Sequence, residues 1–129
     1  MPTTTSPSPD AMHACVQAYI RALNKSDLDA IVALYAEGAE VEDPVGSEPK
    51  RGLAEIRAFY TGSLQLKLQV ELEGSIRAVA NEAAFAFSVA FEHEGQRTII
   101  RPIDVFRFDE AGRIVQMRAF FGKENISAA

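Results

Sequence analysis

The 129-residue chain has little of the chemistry that most enzymes use: one cysteine, two histidines and no tryptophan. Because Cys15 is alone, neither an internal disulfide nor a cysteine-based metal site can form. His13 and His93 are not spaced with other ligands, so we predict no metal site, and the chain has no glycine-rich phosphate loop. Any acid–base chemistry must therefore come from carboxylates and from the three tyrosines.

Basic residues are also in the minority, with 13 Lys and Arg against 18 Asp and Glu and a formal net charge of -5. Nucleic acids and anionic membranes select basic patches, so we expect neither as a partner. No run reaches the ~18 apolar residues of a membrane span. The first residues have neither the basic start nor the apolar stretch of a signal peptide. These absences predict a cytoplasmic protein in a reducing compartment.

The length suits one domain and is too short for two ordinary ones. Residues 1–10 are rich in Pro, Ser and Thr, and such a segment buries too little apolar surface to order itself. We therefore expect a flexible N-terminal arm at 1–10 and a single domain at 11–127.

Apolar residues at helical spacing predict three helices in the first half of the chain. The first begins at Ser8-Pro9, an N-cap followed by proline at the first helical position. The second opens at Ser26, continues to Tyr35 and ends at Gly38. The third runs from about Leu53 to Thr61.

Alternating patterns predict strands in the rest of the chain. A short strand covers 39–43, with Glu40 and Glu42 on a solvated face. Longer strands cover about 64–72, 85–91, 97–108 and 113–121, joined mostly by short turns. Helices first and strands later predict an α+β fold, in which three helices pack on a strongly curved, mainly antiparallel sheet. Such a conical fold leaves a deep pocket suited to an apolar ligand.

Two aspartates have the strand parity of buried residues, although burying a charged carboxylate is costly. Asp43 shares the parity of Val41, and Asp104 shares that of Phe106. Desolvation raises the pKa of a carboxyl held there, and the neutral acid is a hydrogen-bond donor. An aspartate at such a position is also typical of a bulge, an edge or a turn, and Pro102 can upset the parity count. Tyrosines on apolar helix faces are commonly core residues with satisfied hydroxyls.

Two segments resemble the Δ5-3-ketosteroid isomerases of the nuclear-transport-factor-2-like superfamily. They are VQAYIRALNKSDLDAIVALYAEGAEVEDPVG at 16–46 and IDVFRFDEAGRIVQM at 103–117. The combination of YI in the first helix, VEDPxG after the second and IDVxRFDExGRI in the sheet is specific, whereas RFDExGRI alone is common in the superfamily. The resemblance covers nearly the whole chain beyond the arm.

This resemblance implies a cofactor-free homodimer that isomerises a β,γ-unsaturated 3-ketosteroid to the conjugated enone. Asp43 then falls on the general base that moves a proton from carbon 4 to carbon 6, and Tyr19 and Asp104 on the oxyanion-hole donors. Tyr35 and Tyr60 fall on tyrosines that hydrogen-bond behind the first. The expected apolar lining of the substrate site is Leu23, Phe59, Phe85, Phe87, Met117 and Phe121.

Two positions depart from the pattern of that family. Arg101-Pro102 replaces an acidic–apolar pair before Ile103-Asp104, and Phe121 stands where a Trp can occur. Other readings are a SnoaL-like polyketide cyclase, another small-ligand enzyme of the same fold, and a non-catalytic ligand-binding or dimerisation domain. The last of these typically loses polar pocket residues, whereas this chain retains all three candidate catalytic residues. A limonene-epoxide-hydrolase-like site needs Arg and Asp two apart on one inward face, and here they are three apart.

Overall fold

The structure, a computed structural model, describes residues 6–128. Its helices are α1 (Pro9–Asn24), α2 (Leu28–Val32) and α3 (Gly52–Leu64). Its strands are β1 (Tyr35–Glu42), β2 (Lys50–Arg51), β3 (Gln69–Leu72), β4 (Arg77–Val79), β5 (Glu82–His93), β6 (Gln96–Ile100), β7 (Ile103–Phe108), β8 (Ile114–Phe120) and β9 (Ile126–Ala128). A short 3-10 turn at Lys123–Asn125 precedes β9.

Within the described residues the strands form one sheet in the order β2-β1-β8-β7-β5-β6-β9, and β3 and β4 also pair with β5. The β1–β8 pair is parallel, and the other pairs are antiparallel. The 12-residue strand β5 pairs with β7 over 82–86 and with β6 over 89–93, so it carries the sheet around its bend. The predicted α+β fold, with helices packed on a curved and mostly antiparallel sheet, is confirmed.

The core lies between the helices and the sheet, where α1 contacts β3, β4 and β5 and α3 contacts β1. Phe85 and Phe106 stack edge to face at its centre, with ring centroids 5.0 Å apart. Fully burying one such side chain stabilises the fold by about 1.5–3 kcal/mol. Along β7, Asp104 lies between the exposed Ile103 and the half-buried Val105, and it shares the buried face with Phe106 and Phe108, as the parity predicted.

The second helix is shorter than predicted. Its N-cap is Asp27, whose carboxylate accepts the Ala30 N–H at 3.1 Å, while Ser26 has a φ of 53°. The helix ends at Val32, so the prediction that it reaches Tyr35 is wrong. Tyr35 instead begins β1, and the residue predicted to end the helix, Gly38, lies within that strand at a φ of 75°. The helical spacing of the apolar residues gave the wrong boundary because Tyr35 is buried in the strand as it would be in a helix.

Two predicted strands also differ from the structure, one in its length and the other in its continuity. The strand expected over 64–72 is reduced to β3, because α3 continues to Leu64 and helical-type bonds from Gln65 to Lys67 follow it. The leucines alternate with polar residues from 64 to 68, and this pattern predicts a strand although the segment is not one. The single strand expected over 97–108 is two strands, β6 and β7, separated at Arg101 and Pro102. Proline lacks the N–H of a ladder bond, which accounts for the break.

The first helix begins where the sequence predicted it. The Ser8 hydroxyl accepts the Ala11 N–H at 3.1 Å, and α1 begins at Pro9 as the Ser-Pro pair predicted. The last two residues of the predicted arm, Pro9 and Asp10, are therefore helical, and residues 1–5 lie outside the described part of the chain. None of the helices in 6–128 is long and apolar enough to cross a membrane.

Candidate active site

A pocket of about 210 Å³ opens between α1, α3 and the inner face of the sheet. Its buried polar side chains are Tyr19, Tyr60 and Asp104, and the half-buried Asp43 joins them. The remaining lining, mostly apolar, is Leu23, Phe59, Ser63, Leu66, Leu68, Phe87, Val89, Phe91, Ile100, Pro102, Ala119 and Phe121. The pocket therefore combines a small polar cluster with an extended apolar wall.

Asp43 follows β1 directly and lies on the loop that leads to Val45. The Val45 N–H donates to the Ala119 carbonyl at 2.8 Å, which ties this loop to β8. Burial raises the pKa of Asp43 from its ordinary 3.8 to about 6. The side chain is thus ionised at neutral pH, and its conjugate acid is strong enough to return a proton near that pH.

Asp104 projects from β7 into the same pocket and is 1% exposed. Among the described residues its Oδ1 atom has no hydrogen-bond partner. Burial, reinforced by the Asp43 charge, raises the pKa of Asp104 well above 3.8. This environment favours the neutral form of the carboxyl, which is a hydrogen-bond donor.

The tyrosine hydroxyls form a buried chain in which Tyr60 is central. Its hydroxyl lies 2.9 Å from that of Tyr19 and 2.6 Å from that of Tyr35. Each hydroxyl carries one hydrogen. If Tyr35 donates to Tyr60 and Tyr60 donates to Tyr19, the Tyr19 hydrogen remains for the pocket. Burial raises the pKa of all three hydroxyls well above 10, so they are neutral donors.

The structure brings together Tyr19, Asp43 and Asp104, the residues predicted as catalytic, with Tyr60 beside them and Tyr35 behind Tyr60. Four of the predicted apolar lining residues also lie on the pocket wall: Leu23, Phe59, Phe87 and Phe121.

The other two residues of the predicted lining, Phe85 and Met117, do not lie on the wall of this pocket. The Phe85 ring lies in the core, with edge-to-face contacts to the rings of Tyr19 and Phe106. Met117 is 0% exposed, at a position paired with Val41 and Phe106. Both residues have the correct parity, but parity does not distinguish the pocket wall from the core beneath it.

Several lining residues were missed by the sequence analysis. Leu66 and Leu68 had been placed on a strand, although the first follows the end of α3 and the second precedes β3. Phe91 and Ile100 come from β5 and β6, at the end of the sheet beyond the break at Pro102. Both are apolar residues of strands, and this was the signal that could have placed them on the pocket wall.

No group of three or more His, Cys, Asp or Glu side chains in 6–128 is arranged to hold a metal ion. The polar cluster places the Asp43 carboxylate beside two groups that can donate hydrogen bonds, the Tyr19 hydroxyl and the neutral form of Asp104. In a pocket with little water, fixed donors of this kind stabilise negative charge that develops on an oxygen.

The curved α+β fold and its acidic pocket define a nuclear-transport-factor-2-like protein. The SnoaL-like domain model matches residues 16–117, and the chain belongs to this family. The match confirms the nuclear-transport-factor-2-like superfamily to which the resemblance pointed. The chain is also 44% identical over 108 residues to the protein named steroid Delta-isomerase from Nocardioides simplex, covering 84% of this chain and 87% of that protein.

A solved structure gives a further comparison. It is that of the epoxide hydrolase/cyclase-like enzyme SalBIII, described as having a role in pyran ring formation in polyether salinomycin. The two structures superpose with a TM-score of 0.87 and 28% sequence identity, covering 93% of this chain and 97% of the other. The SalBIII structure has the same fold, although that protein is described as an epoxide hydrolase/cyclase-like enzyme and not as an isomerase.

Proposed function

We propose that this protein is a Δ5-3-ketosteroid isomerase. The observation that carries the proposal is the polar cluster, in which the half-buried carboxylate of Asp43 shares an apolar pocket with Tyr19 and the buried Asp104. The steroid isomerase relative supports the same assignment.

Asp43 acts as the general base in this reaction. Its carboxylate takes a proton from carbon 4 of the substrate, and the electron pair of the broken C–H bond moves toward the carbonyl to form a dienolate. The protonated Asp43 then returns the proton to carbon 6, and the double bond becomes conjugated with the ketone. The pKa of about 6 suits both steps, because a base works best when its pKa lies near the operating pH.

Tyr19 and protonated Asp104 form the oxyanion hole and donate to the 3-oxygen as it becomes negative. Removing one donor of this kind typically costs about 10²–10³-fold in rate. Tyr60 and Tyr35 extend the hydrogen-bond chain behind Tyr19, so the charge that develops on the oxygen polarises the whole chain. Within residues 6–128 the buried Oδ1 of Asp104 has no hydrogen-bond partner, so this carboxyl is free to bond to a substrate oxygen in the pocket.

The substrate in this proposal is an apolar 3-oxo-Δ5-steroid. The predominantly aliphatic and aromatic wall suits a steroid skeleton, because such a surface gains most from excluding water. Since the proton removed is also the proton returned, the reaction consumes no cofactor. The acidic balance of the chain offers no general attraction for nucleic acid.

We further propose a homodimer in which the outer face of the sheet is the interface. Ile103 of β7 and Phe120 of β8 are paired neighbours there and are 48% and 42% exposed. Neighbouring apolar side chains that are exposed on the face of a sheet favour association. Light scattering after gel filtration should give twice the chain mass, and Phe120→Asp should shift it toward the monomer. A monomeric wild-type protein would refute this assembly.

The isomerase proposal is tested by mixing the purified protein with 5-androstene-3,17-dione and following the ultraviolet absorbance of the conjugated enone. Rapid formation of the enone is expected. Asp43→Asn should remove most of the activity without unfolding the protein, and Tyr19→Phe and Asp104→Ala should each slow it. A wild-type rate equal to that in buffer would refute the isomerase assignment.

The second candidate is a cyclase-like reaction on a polyketide, which the match to SalBIII favours. The same base and donors would then act on a substrate other than a ketosteroid. Failure to form the enone, together with turnover of a polyether precursor, would favour this alternative.

A further inference from the structure

Glu42, the residue before Asp43, is tied to both sides of the candidate base. Its Oε2 accepts the N–H of Gly46 at 2.9 Å, and its Oε1 accepts Nε–H of Arg118 at 3.1 Å. Arg118 is the register partner of Glu42 in the parallel β1–β8 pair. One carboxylate thus joins the end of β1, the far side of the loop and the neighbouring strand. The sequence pattern had placed Glu42 on a solvated face, but its side chain is 20% exposed.

Asp43 lies in the loop between Glu42 and Gly46, so the hydrogen bond between these two residues closes a ring of which Asp43 is a member. Within the ring, the Val45 N–H donates to the Ala119 carbonyl at 2.8 Å. Beyond it, the N–H of Ser47 donates to the Pro44 carbonyl at 3.0 Å. The hydrogen bond from Gly46 and the pairing with Arg118 lower the pKa of Glu42, so it stays ionised and accepts both bonds at neutral pH.

We propose that Glu42, held by Arg118, is a positioning residue that fixes the Asp43 carboxylate for proton transfer. This role rests on the isomerase function proposed above. Misplacing a reacting group by ~1 Å can cost about 10²-fold in rate, so a loosened loop affects the chemical step more than substrate binding. The apolar wall that binds the steroid lies outside this loop.

Glu40 offers a matched control. It lies on the same strand two residues earlier and has the same side-chain type. It also pairs with an arginine, because Nε of Arg51 lies 3.0 Å from its Oε2. That pair joins β1 to β2 and does not close the loop that carries Asp43.

Two variants separate the length of the Glu42 side chain from its charge. Glu42→Gln keeps the length and an oxygen that can accept from Gly46, but it loses the charge, and its amide nitrogen cannot accept the second bond from Arg118. Glu42→Asp keeps the charge but is one methylene too short to reach both donors. The positioning role predicts that Glu42→Asp lowers kcat about 10-fold or more with KM within about 2-fold, and that Glu42→Gln, which keeps the Gly46 bond but loses the Arg118 bond, lowers kcat by a smaller factor. Glu40→Asp should leave both constants unchanged.

The experiment measures kcat, KM and the pH profile of enone formation, together with hydrogen exchange at the Gly46 amide. Glu42→Asp should lower the plateau of the profile without moving its midpoint and should speed exchange at Gly46. Faster exchange with an unchanged kcat would overturn the positioning role but leave the isomerase assignment intact. A larger loss in Glu42→Gln than in Glu42→Asp would also overturn it, since charge would then matter more than reach. An inactive wild-type protein would overturn both proposals.

Discussion

Replacing Asp43 with asparagine should stabilise the protein at neutral pH while removing its activity. The side chain is partly buried, and its pKa rises from 3.8 to about 6 on folding. The folded state therefore binds the proton more tightly than the unfolded state does. The contribution of Asp43 to stability is then most favourable below pH ~4 and is lost as the pH rises through about 6.

The size of the effect follows from the pKa difference. At about 1.4 kcal/mol per pKa unit, the shift corresponds to at most about 3 kcal/mol. The partial exposure of the side chain reduces this figure, so we expect a gain of about 1–2 kcal/mol for Asp43→Asn at pH 8. At pH ~3.5 the two proteins should have nearly the same free energy of unfolding, because the aspartate is then mostly protonated in both states.

Urea denaturation of the wild type and Asp43→Asn at several pH values measures this difference directly. Subtracting the two curves removes the contribution of the other carboxylates. Glu48→Gln, which removes an exposed carboxylate farther along the same connection, is the control and should change stability little at any pH. An Asp43→Asn protein that is less stable than the wild type at pH 8 would refute the argument that burial of the charge is costly.

Further predictions concern the rate and the core. The kcat/KM for enone formation should rise with pH to a plateau, with a midpoint at about 6 set by the pKa of Asp43. A midpoint at ~4 would contradict the desolvation of Asp43. Tyr60→Phe should lower kcat more than Tyr35→Phe because the Tyr60 hydroxyl makes both bonds of the chain, and the reverse order would contradict that arrangement. Asp104→Asn keeps a donor and should retain more activity than Asp104→Ala, for which we expect a loss of about 10²–10³-fold; equal losses would count against a donor role. Phe85→Ala should cost about 3–5 kcal/mol in urea denaturation, and a cost below ~1 kcal/mol would contradict its place in the core.

The inward position of Asp104 was predictable because β7 is regular. Side chains alternate between the two faces of a strand, and Phe106 and Phe108 mark the buried face of β7. Asp43 is different, since β1 ends at Glu42 and the loop beyond it sets the direction of the side chain. Its parity with Val41 suggested the pocket, but the hydrogen bonds of the loop are tertiary and leave no periodic trace in the sequence.

The errors have a common physical origin. Tyr35 is buried from a strand as readily as from a helix, and Leu66 fits an alternating pattern although it follows a helix. Apolar spacing reports which residues are buried, but it does not report which element buries them when the segment is short. The depth of Phe85 below the pocket depends on the ring packing with Phe106, which only the folded structure contains.

Transfer of an isotopic label tests the central claim most directly. A 3-oxo-Δ5-steroid that carries deuterium at carbon 4 is converted in ordinary water, and the position of the label in the product is read by NMR. A single base in a pocket that excludes water predicts formation of the enone with much of the deuterium at carbon 6, and loss of this transfer in Asp43→Asn. No enone, or an enone formed equally well by Asp43→Asn, would contradict the account.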